Sequence, residues 1–419
     1  MRICAFCFLL SALCFPARAA IDWNDPHSVI DAAIVASASL RELDANLTAA
    51  RARQRGAGAT ANPMLMAGVQ NQPIDLSRDP MMTMYMVGAS QTFVRRERRE
   101  ALQRGAALDV ERLEREAASR RAEITRDVLV AYDEAAAAEN QIAANDDIAK
   151  LAAMTADAAR IRYEVGAAAQ IDIIRARLEA SNVRHQLLMQ RGVRDTALAR
   201  LRALLNLAPG ETIPPFALHH AMEEHTHADD VILDATTPAI EALETDVARA
   251  EQDLRLAKLA TKPNVNVEAS YGFRPEQKDM FSMLARIELP VRRATIDPQI
   301  AEAMARRDAA RARIDVVRQQ LAVSFGEALA SRNEAVEQIN LHVEQLVPEA
   351  KLGFESALAS YQAGKTTFDA VIGALQTYRM LNVDYFDFVR QLLISQAEMD
   401  ALQHGAMGRS GAAMMGGAQ

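Results

Sequence analysis

The sequence predicts a mainly α protein with membrane β. Long helices would build a coiled-coil barrel, and four β-strands per chain would enter a barrel shared with other chains. Three observations predict it. No proline lies between Pro80 and Pro209, and strong helix formers fill that stretch. Two segments opened by a proline, 62–93 and 262–291, alternate apolar and polar residues around a polar turn. The order helix, strand, turn, strand, long helix, glycine turn, helix occurs twice along the chain.

The elements follow in order. Residues 1–19 read as a signal peptide: one positive charge at Arg2, the apolar run "ICAFCFLLSALCF", and "ARA" at 17–19 as an A-x-A cleavage site. All three cysteines (Cys4, Cys7, Cys14) lie in this segment, so the mature chain is expected to hold no disulfide or thiolate site. Leu13 precedes Cys14 where a lipobox wants a small residue, so lipidation is not expected. The first half, 20–205, begins with a helix, continues through the hairpin 62–93, and then enters a helix from about Arg96 to Glu164. Leu102, Ala106, Val110 and Leu113, then Ile124, Val128 and Ala131, keep helical spacing there. At 1.5 Å per residue that helix is roughly 100 Å long and needs partner helices along its length. A linker, 206–237, leads to the second half, 238–403, and a Gly-rich flexible tail, 404–419, closes the chain.

The second hairpin, 262–291, alternates most clearly. Val265, Val267, Ala269, Tyr271 and Phe273 interleave with Asn264, Asn266, Glu268, Ser270 and Gly272. Phe281, Met283, Ala285, Ile287 and Leu289 interleave with Ser282, Arg286 and Glu288, Leu284 being the exception. Strands of this length suit a tilted crossing of a bilayer. Four strands cannot close a membrane barrel, which starts at eight, and open edges are not tolerated in lipid. Several chains must therefore share one barrel, and three would supply twelve strands. The alternative is a pair of soluble hairpins capping a periplasmic coiled coil.

Two glycine turns break the long helices: "RYEVGAAAQID", 162–172, and "SYQAGKTTFD", 360–369. With the duplicated order, these turns make the chain resemble the TolC family of outer-membrane efflux proteins over nearly all of the mature chain. "DPMMTMYMVGASQTF", 79–93, is most similar to the heavy-metal and copper efflux branch. The resemblance implies a homotrimer with a shared trimeric β-barrel in the outer membrane and a helical tunnel in the periplasm. It also implies a periplasmic adaptor (membrane fusion) protein and an inner-membrane pump of the resistance-nodulation-division type. Tyr163, Gly166, Tyr361 and Gly364 would form the periplasmic tip that docks the adaptor, with Asp172 and Asp369 at the pore entrance. Gly166 and Gly364 suit the left-handed conformation that ends a helix. Asp172 falls in a first helical turn, where its charge suits the dipole. Thr366 and Asp369 read as a capping box. Asp369 follows its glycine by five residues and Asp172 by six, about 100° of helical phase, so the two acids are not expected to share a face.

"HHAMEEHTHADD" holds His219, His220, His225 and His227 beside Met222. It reads as a solvated polar loop or as a metal site, since imidazole with thioether suits copper and imidazole with carboxylate suits zinc. Met64, Met66, Met81, Met82, Met84 and Met86 fall mostly on strands, so they are expected to face lipid or to pack; the alternative is a copper path. A net charge of −8 excludes a bulk basic surface for nucleic acid. No H-E-x-x-H, Walker A or G-x-S-x-G pattern occurs, so neither an enzyme nor a cofactor is expected. The leading function is the passive outer-membrane duct of a tripartite efflux system, for metal ions or small toxic compounds. The alternatives are a channel for type I protein secretion and a periplasmic coiled-coil scaffold without a pore.

Overall fold

The structure, a computed structural model, describes residues 21–74, 82–208, 210–216, 237–274, 277–291 and 293–404. The expected signal peptide, the four linker histidines and the residues after 404 lie outside the described residues. The elements are α1 (Pro26–Ala36), α2 (Ala38–Gly56), β1 (Met64–Gln70), β2 (Met84–Phe93), α3 (Arg96–Glu164), α4 (Gln170–Leu204), α5 (Pro238–Leu259), β3 (Val265–Phe273), β4 (Met280–Ile287), α6 (Arg293–Leu341), α7 (Val347–Gln362) and α8 (Phe368–Gln403). One π-helical turn, His342–Leu346, joins α6 to α7. The chain divides into two compact units, each taking segments from both halves of the sequence.

One unit is built from Ala38–Glu123, Asp230–Ala330 and Glu398–Gln419 and carries the sheet. Its strands run in the order β1-β2-β3-β4, every pair antiparallel. The register stacks Leu65, Ala89, Ala269 and Met283 on one face, with Ala67, Val87, Tyr271 and Phe281 beside them. The other face carries Thr92, Asn266 and Arg286, then Ser90 and Glu268, then Ser270 and Ser282. Polar side chains on that face satisfy one another: Asn266 Nδ2 donates to Thr92 Oγ1 at 3.0 Å, and Arg286 meets Glu268 at 2.9 Å. Gln91, the one polar residue among its apolar neighbours on β2, donates to the Ala61 carbonyl at 2.7 Å.

The helices of this unit pack by their periodic apolar positions. Val110 and Leu113 of α3 close on Ala50 of α2. Ala239, Ile240 and Leu243 of α5 pack with Val317, Leu321 and Phe325 of α6. Ion pairs between helices, Arg51 to Glu114 and Arg249 to Asp109 at 2.8 Å each, are half-exposed and set register more than they add stability.

The second unit is built from Met1–Ser37, Ile124–Asp229 and Ser331–Ala397. Phe216 stacks on Tyr132 at 4.3 Å and lies 6.5 Å from Trp23, while the Tyr132 hydroxyl donates to the Trp23 carbonyl at 2.9 Å. These contacts fix the chain where it leaves α4. Ala335, Val336 and Ile339 of α6 pack on Val389, Leu392 and Leu393 of α8.

Two prolines nevertheless fall within helices, beyond their first residue. Pro298 lies inside α6, and Pro348 sits in the first turn of α7 directly after the π-turn. Proline has no N–H to donate and its ring crowds the carbonyl four residues back. The wider turn absorbs that defect: Val347 N–H reaches the His342 carbonyl, and His342 Nδ1 lies 2.7 Å from the Gln338 carbonyl. A carbonyl can only accept, so Nδ1 carries the proton. Among the described residues no helix is long and apolar enough to cross a membrane, which says nothing of a β-barrel.

Candidate functional site

The two glycine turns lie together in the second unit and are built alike. Gly166 has φ +74° and Gly364 φ +77°. Gly166 N–H donates to the Tyr163 carbonyl at 2.9 Å and Ala167 N–H to Arg162 at 2.7 Å. Gly364 N–H donates to Tyr361 at 2.9 Å and Lys365 N–H to Ser360 at 2.8 Å. Both are Schellman motifs, in which a left-handed residue satisfies the last helical carbonyls. In each, three residues separate the glycine from the next helix, α4 from Gln170 or α8 from Phe368.

The side chains break this symmetry. Tyr163 is 45% exposed, whereas Tyr361, at the matching position, is 3% exposed. Tyr361 packs on Phe368 at 5.2 Å in an apolar cluster with Phe354, Leu358, Val371 and Leu375. The Arg162 guanidinium lies 4.7 Å over its ring. Arg162 also donates to the Tyr361 carbonyl through Nη1 and to the Ala167 carbonyl through Nη2, the latter at 3.3 Å. One arginine therefore ties the first turn to the second. The sequence carries a signal for it, since Arg162 stands in "RYEVG" where the second turn has Ser360.

The two acids occupy different environments. Asp172 is half-buried in the first turn of α4, near Tyr361. Burial first, and then the Asp172 charge, push the Tyr361 phenol above its ordinary pKa, with Arg162 opposing. The Tyr361 hydroxyl makes no hydrogen bond of ordinary geometry among the described residues. Asp369 is exposed and paired with Arg175 of α4. The expected Thr366–Asp369 capping box does not start α8. That helix begins at Phe368, so Thr367 takes the cap position, and Asp369 bonds to Arg175 instead.

Deeper in the same unit, Glu179 is 2% exposed between α4 and α8. It accepts from Arg379 Nε at 3.1 Å and from Gln376 at 2.9 Å. Nothing in the sequence marks this pair, because its members lie 200 residues apart. A groove of about 500 Å³ opens beside it, lined by Gln186, Gly373, Thr377, Met380, Val383 and Asp384. Among the described residues no group of three or more His, Cys, Asp or Glu is placed to hold a metal ion.

Comparison with known proteins places this geometry. Residues 29–207 match the family model described as "Outer membrane efflux protein". No curated protein matches the chain. Among solved structures, the outer membrane protein VceC of Vibrio cholerae is 19% identical with a TM-score of 0.77, covering 91% of this chain and 97% of that one. A membrane protein from Pseudomonas aeruginosa is 20% identical with a TM-score of 0.75, covering 92% of each chain. CusC, a protein described as forming a transmembrane channel, is 16% identical with a TM-score of 0.77, again over 92% of each. At these identities the likeness is one of fold. Residues 29–207 thus resemble the outer membrane efflux protein family, and the described chain has the fold of these channels.

Proposed function

We propose that this chain is the outer-membrane exit duct of a tripartite efflux system, a passive conduit for metal ions or small toxic compounds. The carrying observation is the four-stranded sheet with one face apolar but for Gln91 and the other bearing the polar residues Thr92, Asn266, Glu268, Ser270, Ser282 and Arg286, fused to long helical hairpins. A lone four-stranded sheet leaves two edges open, which lipid does not tolerate. Three copies supply twelve strands and close the barrel, with the polar face inward. Energy then comes from an inner-membrane pump, joined through a periplasmic adaptor. The chain runs as two duplicated halves, 20–205 and 238–403, joined by 206–237.

The glycine turns are the docking elements of this reading. Tyr163 and Gly166 offer an exposed surface, while Tyr361 and Gly364 shape the turn from beneath through Arg162. Asp172 and Asp369 stand at the pore entrance, Asp369 with its charge partnered by Arg175. Replacing Gly166 or Gly364 by Val puts a β-branched residue at positive φ, a strain of about 1–3 kcal/mol. Export should fail in both variants while trimer and membrane levels stay normal.

The function itself is tested by membrane fractionation and planar-bilayer recording on the purified protein, with drug and metal susceptibility of a deletion strain. Outer-membrane recovery, discrete conductance and raised susceptibility are expected. A soluble periplasmic protein without conductance would return the scaffold reading.

A further inference from the structure

The strand register fixes which face and which end of the sheet carry charge. Met64 pairs with Ser90, and Met66 with Gly88 and so with Ser270, which puts Met64, Met66, Met84 and Met86 on the polar face. The lipid placement expected for them is corrected by this pairing. Toward the helices, the apolar face ends on the row Phe93, Val265 and Ile287. Leu289 and Val291 follow that row and are exposed.

Past this row the chain turns basic at each of the four places where a strand meets a helix. Residues 51–58, 95–100, 255–262 and 286–293 hold thirteen Arg or Lys against three Glu. The hairpin tips at the other end of the sheet, 71–80 and 274–279, hold three Arg or Lys against four Asp or Glu. The basic segments adjoin one another. Arg99 Nε donates to the Gly58 carbonyl at 2.7 Å, Arg95 Nε to the Pro263 carbonyl at 3.3 Å, and Lys262 meets Glu97 at 2.6 Å. Arg98, Lys262, Arg286 and Pro290 line one groove.

Helix dipoles explain only half of this collar. A helix C-terminus favours cations, so Arg53 and Arg55 of α2 and Lys258 of α5 stand where the dipole wants them. A helix N-terminus disfavours them. Yet Arg95 precedes α3, Arg96, Arg98 and Arg99 open it, and α6 opens on Arg293 with no acid in its first turn. Glu97, the acid in the first turn of α3, is already taken by Lys262. Cations gathered at unfavourable helix ends point to an anion that the chain itself does not supply.

The arginines of α3 divide between two sides. Arg98 lies in the groove of the polar face, beside Thr92 and Asn266. Residues two apart on a helix are about 200° apart, so Arg96 points to the side of the apolar face. Its side chain is 90% exposed and holds Glu100 through Nε, which leaves the terminal nitrogens open. Arg293 is exposed, and its side chain makes no ion pair or hydrogen bond among the described residues. Arg96 follows Phe93 by three residues, roughly 10 Å of chain at most. With Phe93 at the edge of the hydrocarbon, its guanidinium reaches the headgroup layer, about 5–8 Å thick on each side.

We propose that the outer side of this collar, with Arg96 and Arg293 as leading contacts, binds the phosphodiester headgroups of anionic phospholipids in the leaflet on the helical side. Guanidinium grips a phosphate through two parallel N–H bonds, whereas lysine offers a point charge. Eleven of the thirteen basic residues are arginine. The proposal rests on the duct reading, since only a sheet in a membrane brings these residues to a headgroup layer.

The test uses the full-length protein reconstituted in phosphatidylcholine vesicles carrying spin-labelled phosphatidylglycerol or spin-labelled phosphatidylcholine. Electron spin resonance reads the fraction of each label immobilised on the protein. Phosphatidylglycerol should be preferred by at least about fivefold at low salt, the factor that one basic residue at a membrane surface supplies. The preference should fade at about 1 M salt, where charges are screened beyond roughly 3 Å. Arg96→Gln/Arg293→Gln should cut it at least about twofold with the rest of the collar intact, and Arg96→Lys/Arg293→Lys should keep most of it. Arg98→Gln, on the polar side, and Arg274→Gln/Lys278→Gln, at the far end of the sheet, should leave it unchanged. Circular dichroism and trimer size confirm that the variants fold. No preference at low salt, a preference undiminished in Arg96→Gln/Arg293→Gln, or an equal loss in either control would each overturn the collar. Bilayer recording in pure phosphatidylcholine is the separate arm. Discrete conductance without any lipid preference would refute the collar and leave the duct standing, whereas a protein that enters no vesicle would refute the duct and the collar with it.

Discussion

Arg162 does at one position what the paired glycines do by symmetry. Its guanidinium donates to carbonyls of both turns and covers the Tyr361 ring. Hydrogen bonds from a charged donor contribute about 1.5–3 kcal/mol each when buried and less at a half-exposed tip. Arg162→Ala should therefore loosen the tip locally without unfolding the helices. Amide exchange at Gly364 and Lys365 should speed up, while the Ile148 and Ala152 amides of α3 keep their protection; unchanged exchange at the turn would remove Arg162 from this role. Asp133 of α3 is a second informative residue, because burial pushes its carboxyl up to about 7. The folded state then holds a proton that the unfolded chain, near its ordinary value of 3.8, has released. Stability from this group is full below about pH 4 and is lost as pH rises to about 7. Part of the residue still reaches solvent, which reduces the effect. Asp133→Asn should flatten the decline in melting temperature between those pH values, and an identical slope in the variant would show that the carboxyl does not titrate there.

At the scale of elements, the sheet and the helical turns carry separate predictions. Val87 lies on the apolar face between Ala67 and Tyr271. Val87→Arg should impede membrane insertion by about 2–4 kcal/mol near the bilayer midplane. Ser282, opposite Ser270 on the polar face, is the matched control. It is a better one than Asn266, which bonds to Thr92 and pairs with Arg286, where a second arginine would add repulsion. Outer-membrane recovery of the folded protein should fall for Val87→Arg and hold for Ser282→Arg. Equal recovery would mean that the faces are not divided between lipid and lumen. The turns differ in their surroundings: nothing lies within 4 Å of a Cβ on Gly166, whereas Arg162 lies 3.6 Å from one on Gly364. Backbone strain acts at both positions, and at Gly364 any longer side chain also crowds the arginine that ties the turns.

At the scale of the whole molecule, three copies repeat every tip residue around one entrance in the proposed trimer. Asp369 brings its partner Arg175 with it, so that pair adds little net charge. Asp172 lies beside the phenol of Tyr361. Three Asp172 carboxylates would hold a multivalent cation in the mouth. Asp172→Ala should weaken block by a trivalent ion and reduce cation preference in single-channel recording. Asp369→Ala should shift selectivity further toward anions by releasing Arg175. If Asp172→Ala leaves block and selectivity unchanged, the entrance charge lies elsewhere.

Local patterns were legible in the sequence because they depend on neighbours along the chain. The helix expected from Arg96 to Glu164 is α3, set by an unbroken run of helix formers. The second hairpin was legible as β3 and β4 because alternation is a period-2 signal. The turns were legible because Gly166 and Gly364 meet positive φ at little steric cost. Tertiary structure decided what depends on distant partners. The same Tyr-x-x-Gly motif buries Tyr361 and exposes Tyr163, because only Tyr361 meets Phe368 and Arg162. Glu179 finds Arg379, and Asp369 finds Arg175, across gaps that no local pattern spans. The face of the β1 and β2 methionines was decided by pairing with β3, since a register shift of one residue reverses every side chain.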